Sequence, residues 1–334
     1  MDRKTGLARW LLAATLALTT LGAAAQSRSF SSLVVFGDGL VDSGNMAQLV
    51  GVDATQNVWG DGYYATLPFA SGRYSNGPVW VEDLAGRLGL RADAALRGGS
   101  NYAFGGGGSG DADSITPIPG YRVSMQGQLS RYLAGPGSGD AAQSLFVLSG
   151  GSVNVGLALE AAGNDPAHAA GILGAAAQRY AADIGDMVDT MQAAGATHIL
   201  VLNVADFGLT PRAQSYGPEL AGLGSLGASL MNQLLAQRLA GEAGVQLFDL
   251  YGLLNDVVRH PDGTGLSNVS HACAAAQYGC DAGSSLFYDG QHPTAFGHHL
   301  IADRVYAALV PEPASAWLFG LGLLPLLARL RRRS

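Results

Sequence analysis

Val34-Val35-Phe36-Gly37-Asp38-Gly39-Leu40-Val41-Asp42-Ser43-Gly44-Asn45 reads as a buried strand that runs into a polar turn. The β-branched and aromatic residues favour an extended chain, and the Gly-Asp-Gly that follows breaks it. Working outward, short apolar runs recur at 33–36, 144–148, 198–202 and 245–248, each followed by a Gly-, Asn- or Asp-rich turn. Ala/Leu-rich stretches at 167–194, 226–243 and 295–309 predict helices between and after them. Strands alternating with helices predict an α/β fold with a mainly parallel sheet. In such a sheet ligands bind at the carboxyl ends of the strands, so the turns are where chemistry is expected.

The two ends predict export. A basic start (Arg3, Lys4, Arg9), an apolar run from Trp10 and the small-residue site Ala23-Ala24-Ala25 have the order of a secretory signal peptide, residues 1–25. Val310-Pro311-Glu312-Pro313, an apolar run and Arg329, Arg331, Arg332 and Arg333 close the chain. The basic cluster points to a cytoplasmic tail, and the run is shorter than the roughly 20 residues of a comfortable span. This end, 311–334, resembles a PEP-CTERM sorting signal, which a membrane transpeptidase-like enzyme removes; an ordinary C-terminal anchor is the alternative. The resemblance implies export and sorting machinery as partners, transient anchoring, and a final place in the cell envelope or outside the cell.

Between those ends, residues 26–310 carry 12 basic and 24 acidic side chains, a net charge of −12. Such a body does not seek nucleic acid or an anionic membrane, and its length suits one domain. The only two cysteines, Cys273 and Cys280, are expected to close a small disulfide loop in an oxidising compartment. A metal site is the weaker reading, since His271 alone supplies no second ligand pair.

Three motifs fail on context. Gly222-Leu223-Gly224-Ser225-Leu226-Gly227 has dinucleotide-loop spacing but follows no strand and lacks the acidic residue about 20 positions on. Gly107-Gly108-Ser109-Gly110-Asp111 occurs once, with Ala112 where a calcium repeat needs Asp, and reads as a flexible surface loop. His298 and His299 are adjacent on a predicted helix and point apart, so they read as a helix face and a packing contact. No metal and no cofactor is expected.

Asp289 and His292, three apart at a turn before a helix, can set a carboxylate against one imidazole nitrogen and leave the other free as a base. A buried or exposed pair without catalytic role is the alternative. Gly72-Arg73-Tyr74-Ser75-Asn76-Gly77, Asn101-Tyr102-Ala103-Phe104-Gly105-Gly106, the turn at 203–211 and Tyr288-Asp289-Gly290-Gln291-His292-Pro293-Thr294 follow the opening stretch in order. Together these segments resemble the exported serine esterases of the GDSL (SGNH) family over about residues 33–309. The resemblance implies a three-layer α/β/α SGNH-hydrolase fold with a flavodoxin-like sheet. It also implies ester hydrolysis, with Asp289 orienting the catalytic His292 and Gly105 offering an N–H to the oxyanion.

The departures are equally specific. The family carries its nucleophilic serine where this chain has Gly39, and Ser149-Gly150-Gly151-Ser152-Val153-Asn154 puts Val153 at the oxyanion Asn; a one-residue shift would place Asn154 there. Ser43 and Ser152 are weak substitutes, one a helical turn away and one on another loop. With no hydroxyl between residue 39 and His292, the gap is expected to hold water or a ligand. Three functions stay open: an exported esterase or lipase with weak or rescued activity, a pseudoenzyme binding a small ester or acylated carbohydrate, and a component of the extracellular matrix.

Overall fold

In the computed structural model the apolar runs form strands where the pattern placed them. The described residues are 30–51, 55–57, 64–68, 72–135, 138–275, 278–279 and 281–310. The expected signal segment 1–25 and sorting segment 311–334 lie outside them, as does Cys280; Cys273 is buried. Among the described residues no helix is long and apolar enough to cross a membrane.

In chain order the elements are β1 (Ser32–Gly37), α1 (Asn45–Val50), β2 (Thr55–Asn57), β3 (Tyr64–Pro68), α2 (Trp80–Arg87), α3 (Met125–Ala134), β4 (Ser144–Ser149), α4 (Ser152–Asn164), α5 (Ala169–Ala193), β5 (Ile199–Leu202), α6 (Pro211–Ser215), α7 (Pro218–Arg238), β6 (Val245–Phe248), α8 (Leu250–Arg259) and α9 (Ala295–Leu309). The main sheet has the order β1-β4-β5-β6 and is parallel throughout, with Gly37 opposite Ser149 at the end of the first pair. β2 and β3 pair antiparallel in a small sheet of their own.

Side chains alternate across the strands with period two. Val34, Phe36, Phe146, Leu148, Ile199 and Val201 face a core shared with α4, α5 and α7, and Leu33, Val35, Val147 and Leu200, pointing the other way, are fully buried as well. Both faces of the sheet are thus covered by helices, as a parallel sheet requires. This is the α/β/α arrangement that the resemblance implies. Phe30–Val305 form one compact unit, and the described residues beyond it are the end of α9.

Two glycine-rich segments differ from their reading. α7 begins at Pro218 rather than near 226, so the spaced glycines lie inside the helix. A β-carbon at Gly227 would come within 3.2 Å of Leu173, and one at Gly224 within 3.3 Å of Gly208, so their absence lets α7 approach α5 and the loop after β5 closely. The stretch 107–110 is buried instead of forming a surface loop. A β-carbon at Gly107 would lie 2.7 Å from the Val123 carbonyl, so this chain passes where only glycine fits.

Candidate active site

The turn leaving β1 is organised by its own carboxylates. Asp38 Oδ1 accepts the Leu40 N–H at 3.0 Å, and Asp42 Oδ1 accepts those of Gly44 and Asn45 at 2.8 and 2.7 Å. Asp42 Oδ2 takes the N–H of Met46 at 3.1 Å and of Gly105 at 2.9 Å. Burial still outweighs these four donors and pushes the Asp42 carboxyl up to about 6. Asn45 donates to the carbonyls of Asn101 and Ala103 at 2.7 and 2.9 Å, and Asn101 donates back to Val41 at 2.6 Å. The segments at 34–45 and 101–106 are therefore stapled together.

From the loop before α9, Asp289 Oδ2 accepts Nδ1–H of His292 at 2.8 Å, and its Oδ1 accepts the backbone N–H of Gln291 and His292 at 2.8 and 2.7 Å. Both residues are buried. Burial draws the imidazole pKa down, but the Asp289 charge and hydrogen bond, helped by Asp38, outweigh it and hold it above the ordinary value. With Nδ1 committed, Nε2 faces position 39, where a β-carbon would lie 2.6 Å away. The ring of Tyr74 closes the other side, its centroid 4.9 Å from that of His292, and also packs on the Gly105 backbone.

The structure thus brings Gly39, His292, Asp289 and Gly105 together, with three corrections. The gap at residue 39 is not a water-sized hole, because the imidazole itself has closed it. The Gly105 N–H is spent on Asp42, so it is not aimed at a substrate oxygen. The Asn154 side chain is likewise engaged: Oδ1 accepts the Ser109 N–H at 3.0 Å and Nδ2 donates to Ser109 Oγ at 2.9 Å. Ser109 in turn donates to Asp183 at 2.6 Å, so the network anchors α4 to α5. Val153 sits half-buried in the first turn of α4.

Two cavities separate the alternative serines. Ser43 lines one of about 270 Å³ with Arg73, Arg91 and Arg97, where Arg73 pairs with Glu82 and Arg91 with Asp93. Ser152 lines the other, an apolar cavity of about 60 Å³ walled by Leu40, Phe207, Leu254, Gln291 and Ile301 among others. Leu40 and Gln291, the chain neighbours of Gly39 and His292, line the apolar cavity, whereas Gly39 and His292 themselves do not.

Tyr74 and Asp38 were not singled out from sequence. The only signal for Tyr74 is its place in the Gly72–Gly77 stretch, and nothing local reports that a residue so far upstream covers His292. His298 and His299 do diverge: His298 Nδ1 accepts the Trp80 N–H at 3.1 Å in the core, whereas His299 faces Asp83 at 3.3 Å. Among the described residues no group of three His, Cys, Asp or Glu is placed to hold a metal ion.

The sequence profile of the GDSL-like lipases and acylhydrolases matches residues 33–305. The chain is 27% identical over 315 residues to the phosphatidylcholine-sterol acyltransferase of Aeromonas hydrophila, covering 89% of this chain and 84% of that protein. It is 29% identical over 336 residues to esterase EstA of Pseudomonas aeruginosa, covering 89% of this chain but 50% of that longer protein. A GDSL esterase/lipase of Arabidopsis thaliana is 26% identical over 360 residues, with 91% of this chain and 97% of that protein aligned.

Proposed function

This chain belongs to the GDSL-like lipase/acylhydrolase family, and on that premise we propose that it is an exported esterase/lipase-like protein that binds an acyl ester beside His292 and turns it over weakly or not at all by the conventional route. The single observation that carries this reading is the contact between residue 39 and His292. The base is built, oriented and aimed, but it points at a glycine α-carbon whose side-chain space it fills.

Magnitudes support weak turnover. Loss of a serine nucleophile costs about 2 × 10⁶ in kcat in a well-dissected protease, and loss of one oxyanion donor about 2.7–4 kcal/mol. Here Gly39 carries no hydroxyl, Val153 no side-chain amide, and the Gly105 N–H is engaged. Acyl esters are favoured by the relatives, an acyltransferase and esterases, and by the apolar cavity lined by Gln291 and Pro293, the chain neighbours of His292. Export rests on the order of charges and apolar runs at the two ends. A short-chain chromogenic ester assay on the chain, run beside Gly39→Ser, tests the reading: near-background hydrolysis that rises in the variant supports it, and a family-like rate in the unaltered chain overturns it.

A further inference from the structure

The cavity of about 270 Å³ shares no described lining residue with the apolar one and has the opposite character. Ser43, Arg73, Arg91, Asp93 and Arg97 line it, three guanidinium groups against one carboxylate in a body whose net charge is −12. Its walls are the turn after β1 and the loop 93–99, held together by Asn45 Oδ1, which accepts the Leu96 N–H at 3.0 Å. Arg97 packs over that turn, its terminal nitrogens 3.8 Å from where a β-carbon at Gly44 would stand. Much of the positive charge is unmatched. Arg73 is committed to Glu82, but among the described residues Arg91 engages Asp93 through Nε alone at 2.6 Å, and Arg97 reaches only the neutral Gln48 Oε1, at a long 3.4 Å. Ser43 is buried, and its hydroxyl has no hydrogen-bond partner among the described residues. Such a group is destabilising unless something meets it.

We propose that this cavity binds a phosphate group, free or carried by a small molecule, through Arg91, Arg97 and the Ser43 hydroxyl. Two guanidinium forks on separate parts of one loop, with a hydroxyl from the facing turn, suit an anion with three or four oxygens. A carboxylate has two, which a single fork satisfies. The volume lies near the roughly 300 Å³ lower end of small-molecule pockets, so the bearer of the phosphate is compact. Because the body as a whole is acidic, an anion gains nothing from it at long range, and recognition depends on contact with these side chains. The site needs neither a nucleophile at residue 39 nor an ester beside His292.

The test titrates the full chain with inorganic phosphate, glycerol 3-phosphate and acetate by calorimetry at constant ionic strength. The expected result is saturable binding of both phosphates and none of acetate. Arg91 and Arg97 are exposed, so Arg91→Gln and Arg97→Gln leave the fold intact, and each should weaken binding at least about tenfold. Arg122→Gln, which changes an exposed arginine outside the cavity, should not. Ser43→Ala gives a second readout: binding weaker by about threefold, with no fall in the unfolding midpoint when phosphate is absent, because the lost hydroxyl had no partner. Tighter binding of glycerol 3-phosphate than of inorganic phosphate assigns the site to a phosphomonoester, and equal binding assigns it to the free ion. No saturable binding of either phosphate, equal binding of acetate, or phosphate binding unchanged in both arginine variants overturns the proposal.

Discussion

Asp289 grips His292 twice, through the imidazole Nδ1 at 2.8 Å and the backbone N–H at 2.7 Å. The ring cannot swing without giving up the first of these bonds, so its orientation toward residue 39 is fixed by the loop that carries it. This stiffness bears on every attempt to refill the empty position.

Gly39→Ser places a β-carbon where it would lie 2.6 Å from Nε2, closer than a relaxed contact allows. The variant is expected to lose about 1–3 kcal/mol of stability, as overpacked sites do. It should nevertheless gain ester hydrolysis of at least about a hundredfold over the unaltered chain, short of the roughly millionfold worth of a fully supported serine. Adding Val153→Asn should raise the rate by about tenfold or more, and His292→Ala should abolish the gain. Gly39→Ala should show the stability loss with no gain in rate, which separates crowding from chemistry.

Asn154→Ala should reduce stability by about 1–3 kcal/mol, because it leaves the buried Ser109 N–H without its acceptor. In a Gly39→Ser background it should leave kcat within about twofold, since the Asn154 amide is bound to Ser109 rather than offered to a substrate. A large fall in kcat would assign the oxyanion role to Asn154 after all. Thermal unfolding and ester kinetics on the same preparations decide it.

Stability should fall as pH rises above 6.5, the ordinary value of a histidine. His292 binds its proton more tightly folded than unfolded, so its contribution is complete below 6.5 and is lost as pH climbs through the higher folded value. His298, lowered to about 3 by burial, acts with the opposite sign at lower pH, while Asp38 and Asp42, both raised by burial and Asp42 to about 6, act with the same sign as His292, so the share of His292 is read as the difference from His292→Asn. Unfolding midpoints measured across that window should decline in the unaltered chain and decline less steeply in His292→Asn; an equal slope in both would remove His292 as the cause.

Cys273 and Cys280 should be bridged in protein recovered from an oxidising compartment, with the short loop stabilising the fold by about 2–3 kcal/mol. Thiol titration of the unfolded, unreduced chain should find no free thiol. Two titratable thiols would remove the bridge from the account.

Much of this fold was legible from hydrophobic pattern. The strands read at 33–36 and 144–148 and the last helix at 295–309 sit where the pattern put them, because their apolar runs satisfy local preference and burial at once. Helix α7 was read too short because Gly222, Gly224 and Gly227 argue locally against a helix, while close packing onto α5 rewards them. The Asp289–His292 pair was legible because both partners lie on one turn. The roles of Gly105 and Asn154 were not, since their partners Asp42 and Ser109 are 63 and 45 residues away. Occupation of the space at residue 39 by the imidazole could not be read from sequence either, because it depends on how far one loop leans toward another.

Gly37 and Ser149 close the last rung between β1 and β4, so the loops bearing residues 39 and 152 leave the sheet as neighbours at one height. The first of these loops carries two buried carboxylates, Asp38 and Asp42, on either side of residue 39. Neither loop depends for its shape on the side chain the other displays: Asp42 and Asn45 hold the first, and the Asn154–Ser109 pair holds the second. The architecture is forgiving in consequence, since a point substitution at residue 39 can remove a reactive side chain while the frame around it stands unchanged.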